Sequence, residues 1–296
     1  MGIKERIANN PGASMIVAGL AGLAFPYAAA IPDITIIAFL AGMIFIGCFK
    51  IHVPLSSISI WRPIGFCVVR FAIAPVIAWK ICMMVAPSYA VGIFLLALCP
   101  AGASSAALTG LYNGNVTLAL LVTVISSVAS VFLIPVMMST FGHMVIHLPI
   151  TSMLETLVFC ILLPGALYIP LRRHKPLLDF THHYGRLTTV IIISVMAFIV
   201  IAKKRDYFFD HPEQIFEATL VCATWYAVAA LIGFAMRVPR EDRIAYGVGS
   251  AFNNSALGIG LAFMYFDEKT VILLIATEVI WCALPLAMQP IIRRIA

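Results

Sequence analysis

Ten stretches of roughly twenty mostly apolar residues run through the chain almost end to end, each long enough to cross the hydrocarbon core of a bilayer. They fall at about 13–31, 33–51, 63–86, 89–111, 115–140, 150–171, 185–202, 213–236, 243–265 and 270–292. Lipid offers no partner to backbone N–H and C=O groups, so each stretch must satisfy its own as a helix. Composition agrees: 62% of the 296 residues are apolar and 11% charged, against about a quarter charged in soluble domains. The connections are short. The expected fold is therefore an all-α integral membrane protein with one transmembrane domain filling residues 1–296.

The net charge of +6 does not point to nucleic acid, because Lys and Arg sit in short clusters between the apolar stretches. Such clusters mark cytoplasmic loops. With the N-terminus inside, 13 of the 19 Lys and Arg fall on the cytoplasmic side and five on the other, while Arg70 lies inside the third stretch. Both termini are thus expected in the cytoplasm and the chain in the inner (cytoplasmic) membrane. The first stretch admits a second reading: "KER", an apolar run and then "YAAA" resemble a secretory signal with a small-residue cleavage site. The seven cysteines all lie in apolar stretches without CxxC or Cys/His ligand spacing, so they read as buried hydrophobes. No paired carboxylates, nucleophile–base set or metal-ligand cluster stands out, and neither enzymatic activity nor a metal site is expected.

One stretch breaks the apolar pattern. In "LLALCPAGASSAALTGLYNGN" (95–115), Pro100 and Gly102 interrupt the run, and Ser104, Ser105 and Thr109 follow where more Leu would be expected. The second half of the chain echoes the first. "FPYAAAIP" in stretch one matches "LPGALYIP" in stretch six, with the same gap between Pro26 and Pro32 as between Pro164 and Pro170. "SSA" (104–106) and "NSA" (254–256) stand 150 residues apart, as do Pro135-x-x-Met138 and Pro285-x-x-Met288. Five stretches per half is an odd number, so the second copy enters the membrane inverted. A broken helix is tolerated only inside protein or against a wet cavity. "CPAGASS" and "GVGSAFNNS", with Asn253, Asn254 and Ser255, are therefore expected to meet near the midplane, where freed backbone and half-helix ends hold an anion or coordinate an ion. Small residues that merely let helices pack closely are the alternative.

These segments, together with "WRPIGFCVVRFAIAPVIAW" and "AFNNSALGIGLA", resemble the bile acid:sodium symporter family over nearly all stretches. The resemblance implies ten helices in two inverted five-helix repeats, with the fourth and ninth broken and crossing. It implies a core of helices at about 63–140 and 213–292 moving against a panel at about 13–51 and 150–202. It further implies alternating-access transport of an organic anion, usually coupled to two sodium ions. The expected partners are a small or amphipathic organic anion and the lipid bilayer, with oligomeric state open.

Carried over residue by residue, the family pattern departs at the ion ligands. Cys99, Pro100, Gly102 and Ser105 match Cys-Pro-Gly-Gly-x-x-Ser-Asn, but Ala101 replaces the first Gly and Ala106 the Asn. In stretch five the family's Ser and Thr become Ala119 and Thr123; in stretch nine its Glu becomes Gly249 and Gln-Asn becomes Asn253-Asn254. The family's Gln in stretch three falls on Arg70. A guanidinium there repels a sodium ion by about 4 kcal/mol at roughly 4 Å, taking an effective dielectric of about 20. No cofactor is expected, and the missing ligands count against sodium. Burying Arg70 costs about 2.5–3.5 kcal/mol on insertion scales, so it needs an acceptor: Asn253, Asn254, a substrate carboxylate or Glu278. One reading makes it a built-in substitute for the coupling cation; the other pairs it permanently with Glu278 or lets it snorkel to the interface. Glu278 itself is a candidate proton carrier, ion-pair partner or packing residue. The expected function is a secondary active transporter without the usual two-sodium coupling. The alternatives are an arsenite-type efflux carrier using Cys99, against which the Cys-Pro order counts, and a transport-inactive membrane sensor.

Overall fold

Prolines stand at several of the helix starts and breaks, and others lie inside helices, as Pro135 and Pro170 do. The computed structural model describes residues 11–32, 34–49, 60–102, 104–142, 151, 155, 158–203, 205–210 and 212–295. Helix α1 (Pro11–Ala24) opens on a proline, whose missing N–H costs nothing in a first turn, and gives way at Pro26 to a 3₁₀ turn, Pro26–Ala30. Helix α2 spans Ile34–Cys48. Helix α3 (Trp61–Val68) runs through one wide π turn, Val69–Ile73, into α4 (Ala74–Val85). A 3₁₀ turn at Pro87–Tyr89 leads into α5 (Ala90–Leu98), and α6 (Ser104–Leu111) follows after a break. Next come α7 (Val116–Gly142), a π turn at Val158–Leu162 running into α8 (Leu163–Leu171), and α9 (Lys175–Lys203). The chain ends with α10 (Arg205–Asp210), α11 (Pro212–Phe234), α12 (Arg240–Ala251), α13 (Ser255–Tyr265) and α14 (Glu268–Ile295). Among the described residues there is no strand, and the chain is all-helical.

Among the described residues, three continuous helices are long and apolar enough to cross a membrane, Trp61–Val85, Val116–Phe141 and Pro212–Phe234, and a helix pair bent by 62°, Lys175–Gly185 with Leu187–Lys203, passes the same test taken together. The fourth and ninth stretches do not qualify as single rods because each is split into two short helices. One boundary differs clearly from the sequence expectation: the seventh stretch, expected from 185, is helical from Lys175. Its first turns carry Lys175, Asp179, His182 and His183, which hydropathy excludes but helix geometry does not. Parts of stretches two and six, and the loop with His143 and His147, lie outside the described residues.

The chain divides into two compact units, Met1–His52 with Glu155–Ile215 and Val53–Leu154 with Phe216–Ala296. In the first unit α1 lies against α9 so closely that a Cβ on Gly22 would come within 2.6 Å of the Phe198 carbonyl oxygen. Arg205 closes the end of α1 by donating from Nε to the Leu23 carbonyl at 2.8 Å. In the second unit α5 is buried along its whole length, Ala90 to Leu98, as expected of a helix that is apolar on every face. Its Leu96 and Ala97 carbonyls receive side chains from Asn253 and Arg70.

Candidate functional site

Helix α5 stops because Cys99 turns to ψ 134°, out of helical range, and Pro100 follows, which has no N–H to continue the ladder. The second break opens where Phe252 (φ −90°, ψ 83°) leaves α12 and closes at Asn254 (φ −77°, ψ 78°), whose side chain accepts from the Leu257 N–H and caps α13. The freed backbone groups find each other. Gly102 N–H donates to the Phe252 carbonyl at 2.7 Å, and Asn254 N–H donates to the Pro100 carbonyl at 2.7 Å. Between them Ala101 and Asn253 form an antiparallel bridge. A further donor, Ala101 N–H, is taken by Ser126 Oγ on α7 at 3.1 Å. Gly102 suits the closeness of the approach, since a Cβ there would lie 3.1 Å from the Asn253 carbonyl oxygen, tighter than an ordinary contact. The bridge partners 101 and 253 are 152 apart, not the 150 of the sequence echo. The first break, between Leu98 and Ser104, is longer than the second, between Ala251 and Ser255, and backbone pairing centres each break on the other.

Arg70 enters from the π turn after α3, where the wide turn sets its side chain toward the crossing. It is fully buried. Nε donates to the Ser250 carbonyl at 3.0 Å and to Ser250 Oγ at 2.8 Å; Nη2 donates to the same carbonyl at 2.8 Å and to Asn253 Oδ1 at 2.9 Å; Nη1 donates to the Ala97 carbonyl at 3.0 Å. The guanidinium lies 4.7 Å from the Phe71 ring centroid and 4.8 Å from that of Trp225. Ala97 and Ser250 belong to the last turns of α5 and α12, whose carbonyls carry the negative end of each helix dipole. Asn253 completes the cluster by donating from Nδ2 to the Leu96 carbonyl at 2.6 Å, and Ser250 Oγ donates to the Ala229 carbonyl at 2.5 Å. Among the described residues no Asp or Glu pairs with Arg70.

The hydroxyls form a second group beside the crossing. Ser105 Oγ and Thr123 Oγ1 are 3.3 Å apart, Thr123 also donates to the Ala119 carbonyl at 2.9 Å, and Thr109 donates to the Ser105 carbonyl at 2.8 Å. Ser105, Thr109 and Thr123 are buried, and the carbonyl bonds of the two threonines fall within their own helices. Ser255 is buried at the start of α13, its N–H donating to the Asn253 carbonyl at 3.0 Å. The structure thus brings Arg70 and Asn253 together and gives Asn254 a capping role (3.2 Å to Leu257 N) away from the guanidinium. The side chains of Ser104 and Glu278 lie outside the described residues. Sequence reasoning missed Ser250, Ser126, Trp225 and the Ala97 carbonyl. Only Ser250 had a signal, since it lies inside "GVGSAFNNS"; a backbone carbonyl has none.

Chemically, the described residues of the crossing form an oxygen-rich knot of neutral groups around the Arg70 guanidinium. Similarity to known proteins supplies the context. The chain is 24% identical over 222 residues to "Uncharacterized sodium-dependent transporter YocS" of Bacillus subtilis (strain 168), covering 72% of this chain and 67% of that protein. It is 23% identical over 212 residues to "Probable sodium/metabolite cotransporter BASS1, chloroplastic" of Arabidopsis thaliana, covering 69% and 52%. The chain therefore spans from about half to two thirds of these relatives. With residues 64–211 matching the sequence profile of the Sodium Bile acid symporter family, the chain belongs to that family of multi-pass membrane transporters.

Proposed function

We propose that the protein is a secondary active transporter that moves a small or amphipathic organic anion by alternating access, without the usual two-sodium coupling. In this reading the ten apolar stretches form two inverted five-helix repeats in the inner membrane, with both termini in the cytoplasm. The observation that carries it is the crossing itself, where Gly102 N–H meets the Phe252 carbonyl and Asn254 N–H meets the Pro100 carbonyl, each at 2.7 Å. A membrane protein keeps such irregular backbone only where it lines a functional cavity or is sealed in protein. A buried guanidinium beside it gives the surrounding volume a positive potential suited to a carboxylate.

The names of the relatives speak of sodium, but Arg70 argues for a different arrangement here. A dissociable ion drives transport because it is carried across and released. A guanidinium on the chain returns with the empty carrier, so it lowers the cost of holding an anion yet contributes no gradient energy. Ser105 and Thr123 offer only two hydroxyls, 3.3 Å apart, where a sodium ion needs several hard oxygens. Cys99 is fully buried, which counts against an arsenite carrier that would use its thiol.

The test is uptake into proteoliposomes of a panel of labelled carboxylates, from small monocarboxylates to bile-acid-sized amphipaths, with sodium and pH gradients imposed separately. Uptake of at least one of them without a sodium requirement is expected. Uptake that needs a sodium gradient sinks the coupling claim. Flux of arsenite, or of none of the panel, sinks the substrate class.

A further inference from the structure

A fully buried arginine ordinarily finds a carboxylate, because an uncompensated charge in low dielectric is costly. Among the described residues, Arg70 is received instead by neutral oxygens: the Ala97 carbonyl, the Ser250 carbonyl and hydroxyl, and the Asn253 amide oxygen, all between 2.8 and 3.0 Å. Two of these are last-turn carbonyls of α5 and α12, so two helix dipoles converge their negative ends on one point. The oxygens come from both sides of the crossing, and they are the kind that replace the hydration shell of a small monovalent ion in a membrane protein. We propose that the Ala97, Ser250 and Asn253 oxygens form a monovalent-cation site, and that the chain fills it permanently with its own Arg70 guanidinium.

The rings of Phe71 and Trp225, 4.7 and 4.8 Å from the guanidinium, favour this occupant over a hydrated metal ion. The planar fork also matches acceptors set in different directions, where a point charge would satisfy fewer of them. The crossing is therefore assembled without any ion from solution, and the site is closed to sodium as long as Arg70 stands there. The inference rests on the geometry of the crossing alone, so it stands or falls independently of what the protein transports.

Melting of the purified protein in detergent tests it, with choline, sodium, potassium or low-millimolar guanidinium chloride at matched ionic strength. The unaltered protein is expected to melt at one temperature in all four. Arg70→Ala is expected to melt lower in choline and to recover by about 5 °C in at least one of the other three, as binding to a vacated site requires. An Arg70→Ala protein with the same Tm in every salt overturns the proposal, and so does an unaltered protein stabilised specifically by sodium. Where Arg70→Ala is not recovered folded from any of these salts, Arg70→Lys and Arg70→Met decide, being similar in length and different in charge. A lysine variant several degrees more stable than the methionine variant supports a cation site; one no more stable overturns it.

Discussion

The two breaks that cross in the second unit are built by different means. In the first, Pro100, Ala101 and Gly102 have no side chain that can hydrogen-bond, and the backbone is held from outside by Ser126 Oγ on α7 and by the Phe252 carbonyl of the other break. In the second, the break's own side chains make the bonds: Asn253 reaches the Leu96 carbonyl and Arg70, and Asn254 caps α13. Arg70 repeats the asymmetry, touching the first half at one carbonyl and the second at Ser250 and Asn253. Helix can thus be interrupted by removing the means to continue it, or by offering the backbone a substitute. The first way is cheap in side chains and depends on neighbours. The second reaches out with its own side chains, and it concentrates the energetic stakes on a few polar groups.

The contrast places the costliest change to the breaks themselves in the second one. Asn253→Leu leaves the Leu96 carbonyl unmet and removes one acceptor of a buried guanidinium, a loss of about 3 kcal/mol by the cost of orphaned buried groups next to a charge. A drop in Tm larger than for any substitution that disturbs the first break is expected in detergent melts. Ser126→Ala comes next: it orphans the Ala101 N–H from outside the break, at about 2 kcal/mol. Should Ser126→Ala prove costlier than Asn253→Leu, the ranking of the two breaks reverses and the first is the energetic centre. Asn254→Ala is expected to cost least, about 1 kcal/mol, the ordinary value of an N-cap. A loss there as large as for Asn253→Leu would mean that Asn254 does more than cap α13.

Much of this was legible in advance, for reasons that differ by residue. Pro100 and Gly102 announced the first break because their backbone limits act wherever they stand. The apolar stretches announced their helices because lipid leaves no alternative. Asn254 read as a candidate ligand because an amide in an apolar run invites that assignment; its place directly before Ser255–Tyr265 made it a cap instead. Arg70 stood out as an intramembrane charge with Asn253 among its candidate acceptors, and the structure joins those two at 2.9 Å. The acceptors it also takes, the carbonyls of Ala97 and Ser250, were invisible because every residue carries a carbonyl and only a helix end frees one.

The sequence alone determined the helical class, the position of both interruptions and the presence of a charge in the third stretch. These follow from apolar length, from proline's missing N–H at the first interruption and the small and amide residues of "GVGSAFNNS" at the second, and from the cost of a buried cation. Tertiary structure decided that the interruptions pair through their own backbone, that the guanidinium is met by neutral oxygens, and that Ser126 rather than a break residue satisfies Ala101. Such choices depend on which freed donor comes within about 3 Å of which freed acceptor, and that distance exists only once separate helices have packed.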